Sequence, residues 1–129
     1  QKDSQFYKRI IGDIRNVVDK RNKESEYHKL SDILKDLSSL KQGDEKAELL
    51  EDSILYLGKT LRKTHQKDDY YEISRRWVSL GRLKQKEGRT QAFEKAVDYL
   101  QKGFKKGYIN YGEIGKILDR IKNEKNSNS

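Results

Sequence analysis

The residues with chemistry to offer are few. His28 and His65 are the two histidines, and cysteine is absent, which excludes thiolate zinc sites, thiol nucleophiles and disulfide frameworks together. The histidines fall on different expected helices with no second histidine at ligand spacing, so each is read as a surface or helix-end residue. Gly58-Lys59-Thr60 has the ending of a phosphate-binding loop, but that loop needs a glycine five positions before Gly58, where Ser53 stands. Asp44, Glu45, Glu48, Glu51 and Asp52 could be paired acids, yet together they fill the first turns of an expected helix, where carboxylates complement the positive end of the helix dipole. These observations imply no enzyme, no cofactor and no metal site.

Cationic side chains are the one abundant reactive class. Lys and Arg number 29 against 21 Asp and Glu, a formal charge of +8. The excess is uneven: from Arg75 to Lys106, ten basic residues face only Glu87, Glu94 and Asp98. A basic face in the second half of the chain points to an acidic partner.

These cations need a scaffold, and the composition dictates its type. The 129 residues suit one domain. Zero proline favours long helices, because proline breaks helix interiors and marks loops. Leu, Ile, Val and Phe number 30 of 129, just above the roughly 20% below which chains stay disordered, so folding depends on placement. No apolar run approaches the ~18 residues of a membrane span, and the opening residues lack a signal peptide's apolar stretch. The chain reads as soluble as it stands, and its start at Gln1 reads as a trimmed or processed form with any targeting segment out of view. The compartment is left open.

Apolar spacing predicts an all-α fold of about six helices arranged in antiparallel hairpins. Phe6, Ile10, Ile14 and Val17 give a first helix over about 4–20. Ser25 opens a second with Tyr27, Leu30, Ile33, Leu34, Leu37 and Leu40 inward, stopped at Gly43. Asp44 caps a third, burying Leu49, Leu50, Ser53, Ile54, Leu57 and Leu61; Lys59, Arg62, Lys63 and His65 complement its negative end. Asp68 or Asp69 begins a fourth with Tyr70, Ile73, Trp77, Leu80 and Leu83 inward and Gly88 as its stop. A fifth is expected from Thr90, with Ala92, Phe93, Ala96, Val97 and Leu100 on one side and Gly103 and Gly107 ending it; Gly103 to Gly107 reads as a turn. Asn110 and Glu113 form a capping box for a sixth containing Ile114, Ile117, Leu118 and Ile121. Residues 1–66 complete the core, 67–124 form a hairpin and the helix that follows, and 125–129 fray.

Trp77-x-x-Leu80-Gly81-x-x-Lys84 is followed 34 positions later by Tyr111-x-x-Ile114-Gly115-x-x-Leu118, and Ala92-x-x-x-Ala96 lies between them. This resembles the tetratricopeptide repeat, with its W-x2-L-G-x2-Y helix, its A-x3-F helix and its period of 34. The match covers residues 74–124. It departs at Lys84, where the family has Tyr, and at Gly107, where the family often has Pro; Ile54-x-x-Leu57-Gly58 repeats the local pattern out of register. The glycines at 81 and 115 are expected where helices cross closely, beside the large residues Trp77 and Tyr111, since a helical glycine costs about 1 kcal/mol relative to alanine without a packing reason.

The resemblance implies a non-enzymatic interaction scaffold with a right-handed helix stack, whose first helices line a groove. Arg75, Val78, Arg82, Gln85, Lys86 and Lys116 would face that groove, with Val78 or Tyr70, Tyr71 or Tyr108 as apolar anchor. Guanidinium groups on one face suit carboxylates, so the expected partner is a protein with an acidic or amphipathic segment. Nucleic acid or another polyanion is the alternative, although no helix has a recognition helix's composition. Since single repeats bury little surface, either the first three helices or a second chain supplies the stacking neighbour.

Overall fold

The computed structural model describes the backbone of residues 2–61 and 68–127, and side chains within 5–61 and 68–124. The readings of Arg62, Lys63 and His65 fall outside these residues. Among the described residues six helices run in order: α1 (Lys2–Arg21), α2 (Glu24–Ser38), α3 (Gly43–Thr60), α4 (Asp69–Leu83), α5 (Lys86–Lys105) and α6 (Tyr111–Ser127). No strand occurs among the described residues, and the fold is all-α. No described helix is long and apolar enough to cross a membrane.

Two hairpins, α2 with α3 and α4 with α5, make the body of the molecule; α3 joins them by packing on α4, and α6 lies on α4. The main core gathers Leu50, Ile54 and Leu57 of α3, Tyr70, Ile73, Val78 and Leu80 of α4, Phe93, Ala96 and Leu100 of α5, and Ile117 and Ile121 of α6. A smaller cluster of Ile11, Val18, Tyr27, Leu30, Leu34 and Tyr56 seats α1.

The hairpins repeat each other in detail at a spacing of 43. Ser31 Oγ donates to the Ser53 carbonyl at 2.8 Å, and Ser74 Oγ, 43 positions on, donates to the Ala96 carbonyl at 2.7 Å. Gln42 and Gln85 both stand in extended backbone before a residue of positive φ, Gly43 at 62° and Lys86 at 50°. Lys59 Nζ lies 4.9 Å over the Tyr56 ring and Lys102 Nζ 5.1 Å over that of Tyr99. Each pair of positions differs by 43.

Several expected boundaries move. Lys86, not Thr90, opens α5, so Gly88 lies inside it and does not end α4. Arg89 closes α4 instead, its Nε 3.1 Å from both the Gly81 and Lys84 carbonyls and its Nη2 3.2 Å from that of Arg82, satisfying acceptors that a helix end leaves open. Gly43 begins α3, and α2 has already ended at Ser38. Gly103 is buried within α5, where the side chain of Ile109 and Cβ of Tyr70 occupy the space a Cβ would need; the stop is Gly107, at φ 79°. The capping box forms as read: Asn110 Oδ1 accepts from the Glu113 N–H at 2.8 Å, and Glu113 Oε1 from the Asn110 N–H at 3.0 Å. The helix it opens runs to Ser127, past the expected tail boundary.

The phase of α1 is the largest correction. Phe6, Ile10 and Val17 are exposed, whereas Ile11 and Val18 are buried, with Ile14 between the two sets. Ile33, Leu40 and Leu83 are exposed as well.

The proposed packing motif divides into a half that packs and a half that does not. Leu80, Ala92 and Ala96 are buried, Trp77 and Ile114 pack partly buried on the core, and a Cβ on Gly81 would sit 2.5 Å from Phe93 Cε1 and 3.3 Å from the Ala92 methyl. Close crossing of α4 and α5 therefore requires glycine at 81. In α6, however, Tyr111 is 80% exposed, Leu118 is 46% exposed, and a Cβ on Gly115 would meet nothing within 4 Å. The physical reason is the length of α5, 20 residues. Thirty-four positions after Trp77, in the middle of α4, the chain has only reached the first residue of α6.

Candidate functional site

One side of the molecule is built from α2, α4 and α6, and its organiser is Arg76. This side chain is 3% exposed. Its Nε donates to Glu72 Oε2 at 2.9 Å, Nη2 to Asp32 Oδ1 at 3.2 Å, and Nη1 to Ser31 Oγ at 2.5 Å, with the Ser53 carbonyl 3.4 Å from Nη1. A buried guanidinium has to be paired and hydrogen-bonded to be tolerated, and here the partners come from α2, α3 and α4. Lys35 Nζ adds a second cation 3.2 Å from Glu72 Oε2. His28 stands beside this junction, 3.4 Å from Asp32 Oδ2 and 3.3 Å from Asp69 Oδ1, so it ties α2 to α4 rather than standing alone. Asp69 also accepts from Thr60 Oγ1 at 3.1 Å.

Burial alone would push the Glu72 carboxyl up, but the hydrogen bond and charge of Arg76, joined by Lys35, outweigh it and hold the group below its ordinary value. A carboxyl depressed in the folded state contributes stability above its unfolded value, and that contribution disappears as pH falls through the folded value. The expected result is a loss of stability that begins near pH 4.3, the ordinary glutamate range, and continues below it. Urea melts between pH 7 and pH 3 check this, and Glu72→Gln should flatten that part of the profile.

Beyond Arg76 a cleft of about 700 Å³ opens between α4 and α6, with Leu50 in its floor. Lys35, Arg75, Arg76, Lys116 and Arg120 line it against only Glu72 and Asp119, and Tyr71 and Ser79 complete the wall. Arg75 lies 3.3 Å from Glu72 Oε1 and 5.9 Å over the Tyr71 ring. Arg120 donates to Ser79 Oγ at 3.3 Å. Burial, followed by repulsion from Arg82 and Arg75, depresses the Arg120 guanidinium below its ordinary value. It stays charged at neutral pH, in a place that an added anion would relieve.

A second hollow of about 540 Å³ adjoins the first, shares Lys35, Tyr71, Glu72, Arg75 and Arg76 with it, and adds His28, Asp32, Asp68 and Asp69. The face is thus acidic toward the start of α4 and basic toward α6.

Of the expected groove residues, the structure brings Arg75 and Lys116 together. Arg82 is exposed beside them and pairs with Glu124 at 2.8 Å. Val78 is fully buried in the main core and cannot anchor a ligand; it follows Trp77 on the helix side that packs. Gln85 and Lys86 lie beyond the end of α4, in the turn and first residue of α5, and do not line the cleft. Of the tyrosines, Tyr70 is buried against Tyr108, and Tyr71 is the one in the cleft. Arg120, Ser79, Lys35 and Arg76 went unread. Arg120 was within reach of the spacing, four positions after Lys116 and so on the same stripe.

Among the described residues, no group of three or more histidine or acidic side chains could hold a metal ion. Comparison with protein-family models, with curated proteins and with solved structures gives no match for this chain.

Proposed function

We propose that the protein is a non-enzymatic, helical-hairpin interaction scaffold, akin to a tetratricopeptide module in the crossing of α4 and α5, and that the α4–α6 cleft takes an acidic segment of a partner protein. The observation that carries this reading is the charge of the cleft, five cations against two acids around Tyr71. Arg forks pair carboxylates in bidentate geometry, and Tyr71 offers the ring that an interface of exposed charges otherwise lacks, since aromatic and Arg anchors carry most binding energy. The acidic hollow beside the cleft would set the direction of a segment that has a basic residue at one end.

Calorimetric titration with an acidic peptide tests the assignment. Arg75→Glu combined with Lys116→Glu should weaken binding about tenfold or more, or about 1.4 kcal/mol at least. Lys95→Glu with Lys105→Glu, both exposed on α5, changes net charge equally and should leave affinity nearly unaltered. Equal weakening by the two pairs would mean that only net charge is sensed. The polyanion alternative separates in the same apparatus: tight, steeply salt-dependent binding of duplex DNA with none of the peptide would replace the acidic-segment reading.

A further inference from the structure

The cations of the α4–α6 cleft are not balanced inside it. Glu72 is fully engaged: its Oε1 meets Arg75 at 3.3 Å, and its Oε2 meets Arg76 at 2.9 Å and Lys35 at 3.2 Å. Asp119, the other acid of the lining, is exposed and forms no salt bridge among the described residues. Neither Lys116 nor Arg120 forms one there either; Glu124, the acid whose charge reaches Arg120, pairs with Arg82 at 2.8 Å. Arg120 is also partly buried, and that burial, with repulsion from Arg82 and Arg75, already works against its charge. Its hydrogen bond to Ser79 Oγ supplies an acceptor without a negative charge.

Ser79 adds a donor at the same point. Its oxygen accepts from Arg120, while its hydroxyl proton goes to no acceptor among the described residues. Ser38, Ser53 and Thr60 instead turn theirs back on the carbonyl three positions earlier, at 2.5, 2.6 and 2.7 Å. Arg75 and Ser79 stand one turn apart on α4, Lys116 and Arg120 one turn apart on α6, and the bond from Arg120 to Ser79 joins the two walls. Two guanidinium forks, an ammonium and a hydroxyl therefore line one concave place.

We infer that the segment taken by this cleft carries a phosphate monoester, a phosphorylated side chain seated between Arg75 and Ser79 of α4 and Lys116 and Arg120 of α6; this rests on the assignment of the cleft as the surface for an acidic segment. A carboxylate brings one charge and two oxygens, and Glu72 illustrates how quickly these are used up by three cations. A phosphorylated side chain brings nearly two charges and three strong acceptor oxygens, and the arginine fork matches phosphate geometry as an ammonium does not. The basic surface is also short. The adjoining hollow holds Asp32, Asp68 and Asp69, so a duplex or an anionic bilayer, whose charges continue past the cleft, would press like charges together there. A single compact dianion on a protein segment avoids that repulsion.

Calorimetry with two peptides of one acidic sequence, carrying Glu or phosphoserine at the central position, tests this. The phosphoserine peptide should bind about tenfold tighter, the worth of one further hydrogen bond to a charged group. Arg120→Ala should bring that ratio close to one, and Arg120→Lys should lower it nearly as far, because lysine keeps the charge and loses the fork. The ratio is taken within each variant, so partial unfolding weakens both peptides alike and leaves it readable. Equal affinity of the wild-type chain for the two peptides would overturn the inference and leave the acidic-segment reading standing; binding of neither would overturn both. A ratio that survives Arg120→Ala would seat the phosphate elsewhere and overturn it too. Inorganic phosphate bound as tightly as the phosphoserine peptide, or vesicles of phosphatidylcholine and phosphatidic acid bound in place of either peptide, would make the ligand a free anion or a membrane instead.

Discussion

Arg76→Ala should cost about 3–5 kcal/mol of folding stability, the range for removing one member of a buried ion pair. The guanidinium joins Glu72, Asp32, Ser31 and the Ser53 carbonyl across three helices, and its loss leaves Glu72 with the exposed Arg75 and with Lys35, and Asp32 with His28. Against a total of about 5–15 kcal/mol for a domain, such a loss lowers the thermal midpoint by many degrees. Arg76→Lys should recover little, since an ammonium cannot reach the partners on α2 and on α4 at once. Arg76→Met should be milder than alanine because it refills the volume, and Ser31 keeps its own bond to Ser53. Chemical denaturation of the three variants, read as midpoint shifts at constant slope, checks the order.

The two glycines of the 34-residue pattern should respond in opposite directions. Gly81→Leu is expected to destabilise by about 3 kcal/mol, the upper end for overpacking a filled core, because even its Cβ would lie 2.5 and 2.7 Å from the Phe93 ring. Gly115→Ala should stabilise by about 0.5–1 kcal/mol, the usual gain of alanine over glycine in a helix interior, since nothing lies within 4 Å of the new methyl. Thermal melts of both suffice. Destabilisation by both would restore the 34-residue register to α6, and the 43-residue stack would lose its support.

The helix number and type were legible because zero proline and 3.6-residue spacing agree, and the capping box was legible because its two side chains bond within one turn. The sidedness of α1 was not. Phe6, Ile10 and Val17 make one apolar stripe and Ile11, Ile14 and Val18 another, and spacing alone cannot say which of two apolar sides meets the rest of the chain. The α4–α5 connection was hidden by its turn residue: Lys86 adopts a φ of 50°, a conformation usually announced by glycine, while Gly88 nearby offered a false stop. The repeat was missed because Ser31 and Ser74, or Gln42 and Gln85, share roles that only packing displays. Of the five cations of the cleft, Arg75 and Lys116 could be read. Arg76 could not, since its neighbour Arg75 is exposed and nothing in the spacing says that the next arginine turns inward to α2.

The position of an acidic peptide on the molecule is best read by following backbone amide shifts of the labelled chain during titration. The changes should concentrate at Tyr71, Arg75, Ser79, Lys116 and Arg120 and saturate together. Shifts spread evenly over the lysines of α1 and α5, with no saturation in the cleft, would contradict the assignment of that cleft as the binding surface.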